Sequence, residues 1–249
     1  MKRILTMVLL TLLAFWQFEV HAGGKTHWGY EGHEGPENWG TLSPDYHICK
    51  DGKKQSPIDI YGAKRVKLGK IKFNYKASPK NIVNNGHTIQ INMNKGSTMT
   101  AVNGKIYKLL QFHFHAPSEH TIDGKAADMV AHLVHQAADG QLGVIGVLMN
   151  KGRSNHVIDQ LWQSMPQSAK GKNKLSGNIK VNNLLPKNKS YYNYSGSLTT
   201  PPCSEGVYWM VLKSPIQVSA AQIKAFTTLF AKSTRPVQPM YGRLIKASQ

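Results

Sequence analysis

Eleven histidines occur among 249 residues, and three of them sit where strand geometry could gather them. His113-Phe114-His115 lies in a strand-like run, so both imidazoles project from one face while Phe112 and Phe114 turn to the core. The segment Ala131-His132-Leu133-Val134-His135 also reads as a strand. Paired beside the first, it would add His132 to the same face. Imidazole nitrogens suit zinc at about 2.0–2.1 Å, and three neutral ligands leave a fourth tetrahedral position for water. Neutral ligands leave the charge of the ion unneutralised, which favours loss of a proton from that water and yields a hydroxide nucleophile. Taken alone, His-x-His more often describes two partnered histidines on a polar face than a metal site.

Other chemistries find no pattern. His33-Glu34 is followed by Glu37 where a zinc peptidase helix would need histidine. There is no cysteine cluster for a structural zinc, no G-x-S-x-G and no phosphate-binding P-loop.

The elements that must position the histidines are mostly strands. Ile71, Phe73 and Tyr75 alternate with Lys72 and Asn74, and Ile89, Ile91 and Met93 alternate with polar partners. Further short runs cover Ala101 to Tyr107, Leu109 to His115, Met129 to His135, Val144 to Met149 and Tyr208 to Leu212, punctuated by Asn84-Asn85-Gly86 and Val102-Asn103-Gly104. Helical spacing occurs at Asn155 to Gln163 and after Ser219, where Gln222 completes a capping-box pattern ahead of Ile223, Phe226, Leu229 and Phe230. The prediction is a mainly β (α+β) single domain: a large central, mostly antiparallel twisted sheet with short peripheral helices. No repeat or linker divides it, and the Lys-, Asn- and Ser-rich stretch from Ser164 to Ser190 reads as an exposed excursion.

At 41% hydrophobic and 18% charged the chain has a folded composition, and its formal charge is +18. Its lysines are scattered, concentrating only loosely in Lys64 to Lys80 and Lys170 to Lys189, without an Arg-rich or aromatic-interleaved motif. They read as solvated faces and not as a nucleic-acid surface. Lys2 and Arg3 precede an apolar run from Ile4 to Trp16, and Val20-His21-Ala22 suits a signal peptidase. The run is too short to span a bilayer, so residues 1–22 are read as a cleaved signal and 23–249 as the domain, without integral membrane association after cleavage. Export predicts that Cys49 and Cys203 pair. Closing so long a loop is worth roughly 4–5 kcal/mol on the chain-entropy model, before native strain.

Eight segments together resemble one family. They are His27-Trp28-Gly29-Tyr30, Gln55-Ser56-Pro57-Ile58-Asp59-Ile60, Asn84-Asn85-Gly86-His87, Gln111 to His115, Ser118-Glu119-His120-Thr121, His132 to His135, Gly196 to Pro202, and Arg235-Pro236-Val237-Gln238-Pro239. In this order they resemble the α-class carbonic anhydrases over nearly all of the proposed domain. The short connection between His115 and Glu119, with the signal and cysteine pair, resembles the exported bacterial branch, which implies the periplasm or, failing that, secretion.

The resemblance implies one zinc ion held by His113, His115 and His132, whose hydroxide attacks carbon dioxide to give bicarbonate and a proton. Carbonic anhydrase is itself the reference case for metal-bound water acidified to near neutrality, so that property comes with the resemblance. It also implies that Thr199 accepts the hydroxide hydrogen while committing its own proton to Glu119, with Thr200 as a secondary contact. Val134, Val144, Leu198, Val207 and Trp209 match an apolar wall for carbon dioxide. His87 matches a proton shuttle, reached through water lined by Tyr30, Asn85 and Gln90. Weak esterase activity, and inhibition by anions and sulfonamides, are further implications. The chain would be a monomer or a homodimer.

One position departs from the pattern. Ligand histidines normally give their second N–H to an outer partner, and Gln111 suits His113. The family usually carries glutamate two residues before the third ligand, where this chain has Val130; Asp128 has the right parity but lies far along the strand. A more weakly held zinc is expected. Two other readings keep the fold without the enzyme: a binding protein, or an exported zinc store using the surplus histidines.

Overall fold

The computed structural model describes residues 26–101, 104–175 and 177–249, so the expected signal segment 1–22 lies outside the described residues. A twelve-stranded sheet organises the chain. From one edge its strands run Lys172–Lys174, Pro79–Asn84, Ile89–Met93, Ile106–His115, Met129–Ala137, Leu142–Lys151, Glu205–Val218, Tyr191–Ser197, Lys246–Ala247 and Lys64–Arg65. Lys72–Tyr75 and Ser97–Thr100 attach beside Ile106–His115. Pairing is mostly antiparallel, as expected, with parallel exceptions where Leu142–Lys151 meets Glu205–Val218 and Lys246–Ala247 meets Lys64–Arg65. Asp59–Ile60, Thr121–Ile122 and Lys125–Ala126 form a second, small sheet.

Both edges of the large sheet are short and basic, Lys172-Asn173-Lys174 at one end and Lys64-Arg65 at the other. Charge at an unpaired edge discourages pairing with another chain, which gives part of the basic excess a structural use.

Strand parity divides the interior. Phe112, Phe114, Ala131, Leu133, Ile145, Val147, Met210 and Leu212 face one side, where they pack against the helices His156–Trp162 and Ala220–Leu229. Val130, Val134, Val144, Trp209 and Val211 face the other. The helices start where expected. Asn155 Oδ1 accepts the N–H groups of Val157 and Ile158, while Ser219 and Gln222 form a capping box. Gln222 also donates to Asn155 O and Asp159, tying the two helix starts together.

Two expectations need correction. Ala101 to Tyr107 is no single strand: Ala101 and Lys105 close a turn, and the chain then runs straight through Ile106–His115. Glycine at 104, with φ 76°, supplies the backbone that the turn demands. The stretch Ser164 to Ser190 is held more firmly than its composition suggests. Lys172–Lys174 pairs with Pro79–Asn84, and Ile179, Val181, Leu184 and Leu185 are buried in the core.

Candidate functional site

Antiparallel pairing places His132 directly opposite His113, with Val130 opposite His115. One potential ligand atom from each of His113, His115 and His132 lies within 4.8 Å of the others. Outer contacts decide which nitrogens face inward. His113 Nδ1 donates to Gln111 Oε1 at 2.9 Å, and His115 Nδ1 donates to the Ser233 carbonyl at 2.6 Å. With the proton fixed on Nδ1, each presents an Nε2 lone pair. His115 Nε2 is 3.6 Å and His132 Nδ1 is 3.7 Å from the same Glu119 Oε2, so His132 presents Nδ1. His115 Nε2 is buried without a hydrogen-bond partner among the described residues, an orphaned lone pair that a cation would satisfy.

The protonation states suit a metal as well. Burial, reinforced by neighbouring histidines, holds His113 and His132 well below the ordinary imidazole range, so both stay neutral. Neutral imidazole is the ligating form. Donor set, tautomers and convergence fit one zinc ion.

Glu119 lies buried behind this trio. Its Oε1 accepts the Arg235 N–H at 3.0 Å. Burial raises its pKa, while His115, the Arg235 N–H and the nearby Thr199 hydroxyl act the other way. The Arg235 guanidinium donates to Gln55 Oε1, Ser56 O and Cys49 O at 2.8 to 2.9 Å and lies over the Trp39 ring. Cys49 is bonded to Cys203, whose N–H donates to Thr200 O and whose carbonyl accepts from Gln55. The expected disulfide is therefore present, and with Arg235 it anchors the loop that carries Thr199 and Thr200.

A cavity of about 160 Å³ opens onto the histidines. Val134, Val144, Leu198 and Trp209 supply its apolar wall; Tyr30, Asn85, His87, Gln90 and Thr200 line the remainder. Val207, expected in the wall, does not line the cavity. It is buried in the apolar cluster with Val144 and Trp209. His87 is half-buried at the rim and stacks on Trp28 at 3.8 Å. Partial burial, then the charge of His27, lowers its pKa below the usual imidazole value. Asn85 Oδ1 accepts the His87 and Thr88 N–H groups, which fixes the turn presenting the ring. Tyr30 OH is buried without a protein partner among the described residues.

Sequence reasoning gave no role to several residues at the site. The Ser233 carbonyl orients His115, Trp28 seats His87, and His120 bonds through Nε2 to Tyr194 OH, which bonds Ser56 Oγ. A backbone carbonyl leaves no residue-type signal, but His120, Ser56 and Arg235 all stand inside the motifs quoted above. Asp128 does not assist His132: its carboxylate accepts the Lys151 N–H at 2.6 Å.

Comparison with known proteins agrees with this geometry. The family model for eukaryotic-type carbonic anhydrase matches residues 34–249. A carbonic anhydrase from Neisseria gonorrhoeae is 45% identical over 242 residues, covering 97% of this chain and 95% of its own. The α-carbonic anhydrase of Thermovibrio ammonificans, solved with the inhibitor sulfanilamide, superposes with a TM-score of 0.88 at 44% identity, covering 91% of this chain and all of the other. A carbonic anhydrase from Chlamydomonas reinhardtii in complex with acetazolamide gives 0.79 at 36% identity, covering 89% and 99%. Matched over most of its length in both sequence and fold, the chain belongs to the eukaryotic-type, or α, carbonic anhydrase family.

Proposed function

We propose that the chain hydrates carbon dioxide reversibly to bicarbonate and a proton with one zinc ion on His113, His115 and His132. The supporting observation is three imidazoles, His113 and His132 among them held neutral by burial, converging beneath a cavity that is apolar on one side and polar on the other. Zinc supplies positive charge that makes water acidic, a property for which carbonic anhydrase is the reference case. The protein's own groups do the rest. Val134, Val144, Leu198 and Trp209 receive uncharged carbon dioxide and exclude competing water. Glu119, whose Oε1 accepts the Arg235 N–H, accepts a hydrogen bond from the Thr199 hydroxyl, so the Thr199 oxygen is left to accept a hydrogen from the attacking group and aim its lone pair. The Thr199 N–H meets negative charge as it develops on the substrate. His87 carries the released proton outward past Tyr30, Asn85 and Gln90, and its lowered pKa lets it release that proton readily near neutrality.

The same site would hydrolyse activated esters weakly and bind anions and deprotonated sulfonamides. The basic, apolar leader of the sequence and the disulfide support export to the periplasm. Stopped-flow hydration of carbon dioxide, with and without sulfanilamide, tests the reading. Rapid hydration abolished by the sulfonamide is expected; a correctly folded, zinc-loaded chain without hydration contradicts it.

A further inference from the structure

The three candidate ligands are not supported alike. His113 and His115 each give their outer N–H to an oxygen, whereas His132 Nε2 is buried and finds no partner among the described residues. His120 Nδ1 is orphaned in the same way. The proton positions follow from the neighbouring chain of bonds. Ser56 Oγ accepts the Ser197 N–H at 3.0 Å and lies 2.8 Å from Tyr194 OH. The Ser56 hydroxyl proton has Tyr194 as its remaining acceptor, so Tyr194 donates to His120 Nε2 at 2.7 Å and His120 carries its own proton on Nδ1. With His132 presenting Nδ1 inward, its proton sits on Nε2. Two buried N–H donors therefore lie on rings 6.1 Å apart, and both rings rest against the Trp209 indole at 4.7 and 4.9 Å.

Strand parity identifies the position that could satisfy them. The residue two before His113 is Gln111, and its carbonyl oxygen takes the His113 proton. The residue two before His132 is Val130, on the same face as its histidine, fully buried and without an acceptor. We infer that residue 130 sets how long this centre keeps its metal, and that valine there makes His132 the weak member of the ligand set. This rests on the zinc reading above. An imidazole whose outer N–H lacks an oxygen acceptor is less basic at its ligating nitrogen and less firmly oriented.

The test uses the full mature chain carrying zinc. Metal analysis first establishes one zinc per wild-type chain; zinc release to excess chelator is then timed for wild type, Val130→Glu and Val130→Gln. Glutamate, able to accept from both His132 and His120, is expected to slow release about 10–100-fold. Glutamine, a smaller perturbation if the carboxylate hinders folding, is expected to slow it less. In the wild-type zinc protein, ¹⁵N-edited proton NMR should show the His113 and His115 ring N–H protons far downfield and the His132 proton upfield of them, shielded by Trp209. Failure to bind zinc at all would overturn the zinc reading and this inference with it. Stoichiometric zinc with unchanged release in both variants, or a His132 proton as far downfield as the other two, would overturn this inference alone.

Discussion

His113 and His132 face each other across one strand pair, yet their surroundings contrast. Behind His113 stands an amide oxygen 2.9 Å away; behind His132 stand Val130 and the Trp209 ring. The backbone sets the two histidines opposite each other, but His113 turns Nε2 inward and His132 Nδ1, and of their outer N–H groups only that of His113 finds an acceptor, on the side chain two residues upstream. Convergence of ligands is thus a property of sheet register, while the strength with which each is held is decided one residue at a time.

The largest effects test convergence itself. Replacing any one of His113, His115 or His132 by alanine should remove stoichiometric zinc and carbon dioxide hydration together, as measured by elemental analysis and stopped flow. Retained zinc in His132→Ala alone would mean that the poorly supported histidine is no ligand, and the contrast would dissolve. Next comes Gln111→Leu, which gives His113 the apolar backing that His132 already has. Chelator-driven zinc loss should accelerate about 10–100-fold. An unchanged rate would show that oxygen partners matter little here.

A third prediction separates metal retention from proton traffic. His87 lies at the rim, seated on Trp28, so His87→Ala should leave zinc release unchanged while lowering turnover in weak buffer by about 100-fold, with added imidazole restoring it. Equal loss at every buffer concentration would remove His87 from the proton path.

The smallest effect sharpens the contrast along one strand. His135, three residues beyond His132, is buried but partnered on both nitrogens, by Tyr75 OH at 2.7 Å and the Gly143 carbonyl at 3.2 Å. Burial lowers its pKa from 6.5 to about 4. The unfolded chain therefore binds a proton below about pH 6.5 that the native chain refuses until about pH 4, so stability falls as pH drops through that window. The full shift corresponds to about 3 kcal/mol, and His135→Gln should flatten the acid limb of urea-unfolding free energy between those pH values. An unaltered slope would assign the acid sensitivity to other groups.

Much of the site was legible in the sequence because period-two alternation is local. His-x-His, the second histidine strand and Gln111 follow from counting along strands, the two helix starts follow from helical spacing with Asn155 and with Ser219 and Gln222, and the Val130 departure follows from the family resemblance. What escaped depends on distant partners. The Ser233 carbonyl meets His115 across 118 residues, and the Arg235 N–H meets Glu119 across 116. The path from Ser56 through Tyr194 to His120 joins three separate segments. Val207 shares the apolar cluster with Val144 and Trp209, and alternation along the strand does not say which members of such a cluster reach the cavity surface. Ala101 to Tyr107 reads as one strand-like run despite the Val102-Asn103-Gly104 turn signal inside it, because apolar residues flank that signal on both sides, whereas Ala101 and Lys105 are bonded across a turn.

The most direct measurement combines metal content with activity on one sample. Purified mature chain is analysed for zinc and assayed for carbon dioxide hydration, stripped with chelator and assayed again, then reconstituted. One zinc per chain, hydration lost on stripping and regained with added zinc, is the predicted result. Hydration that survives complete zinc removal, or a natively folded chain that stays inert with one zinc bound, would contradict it.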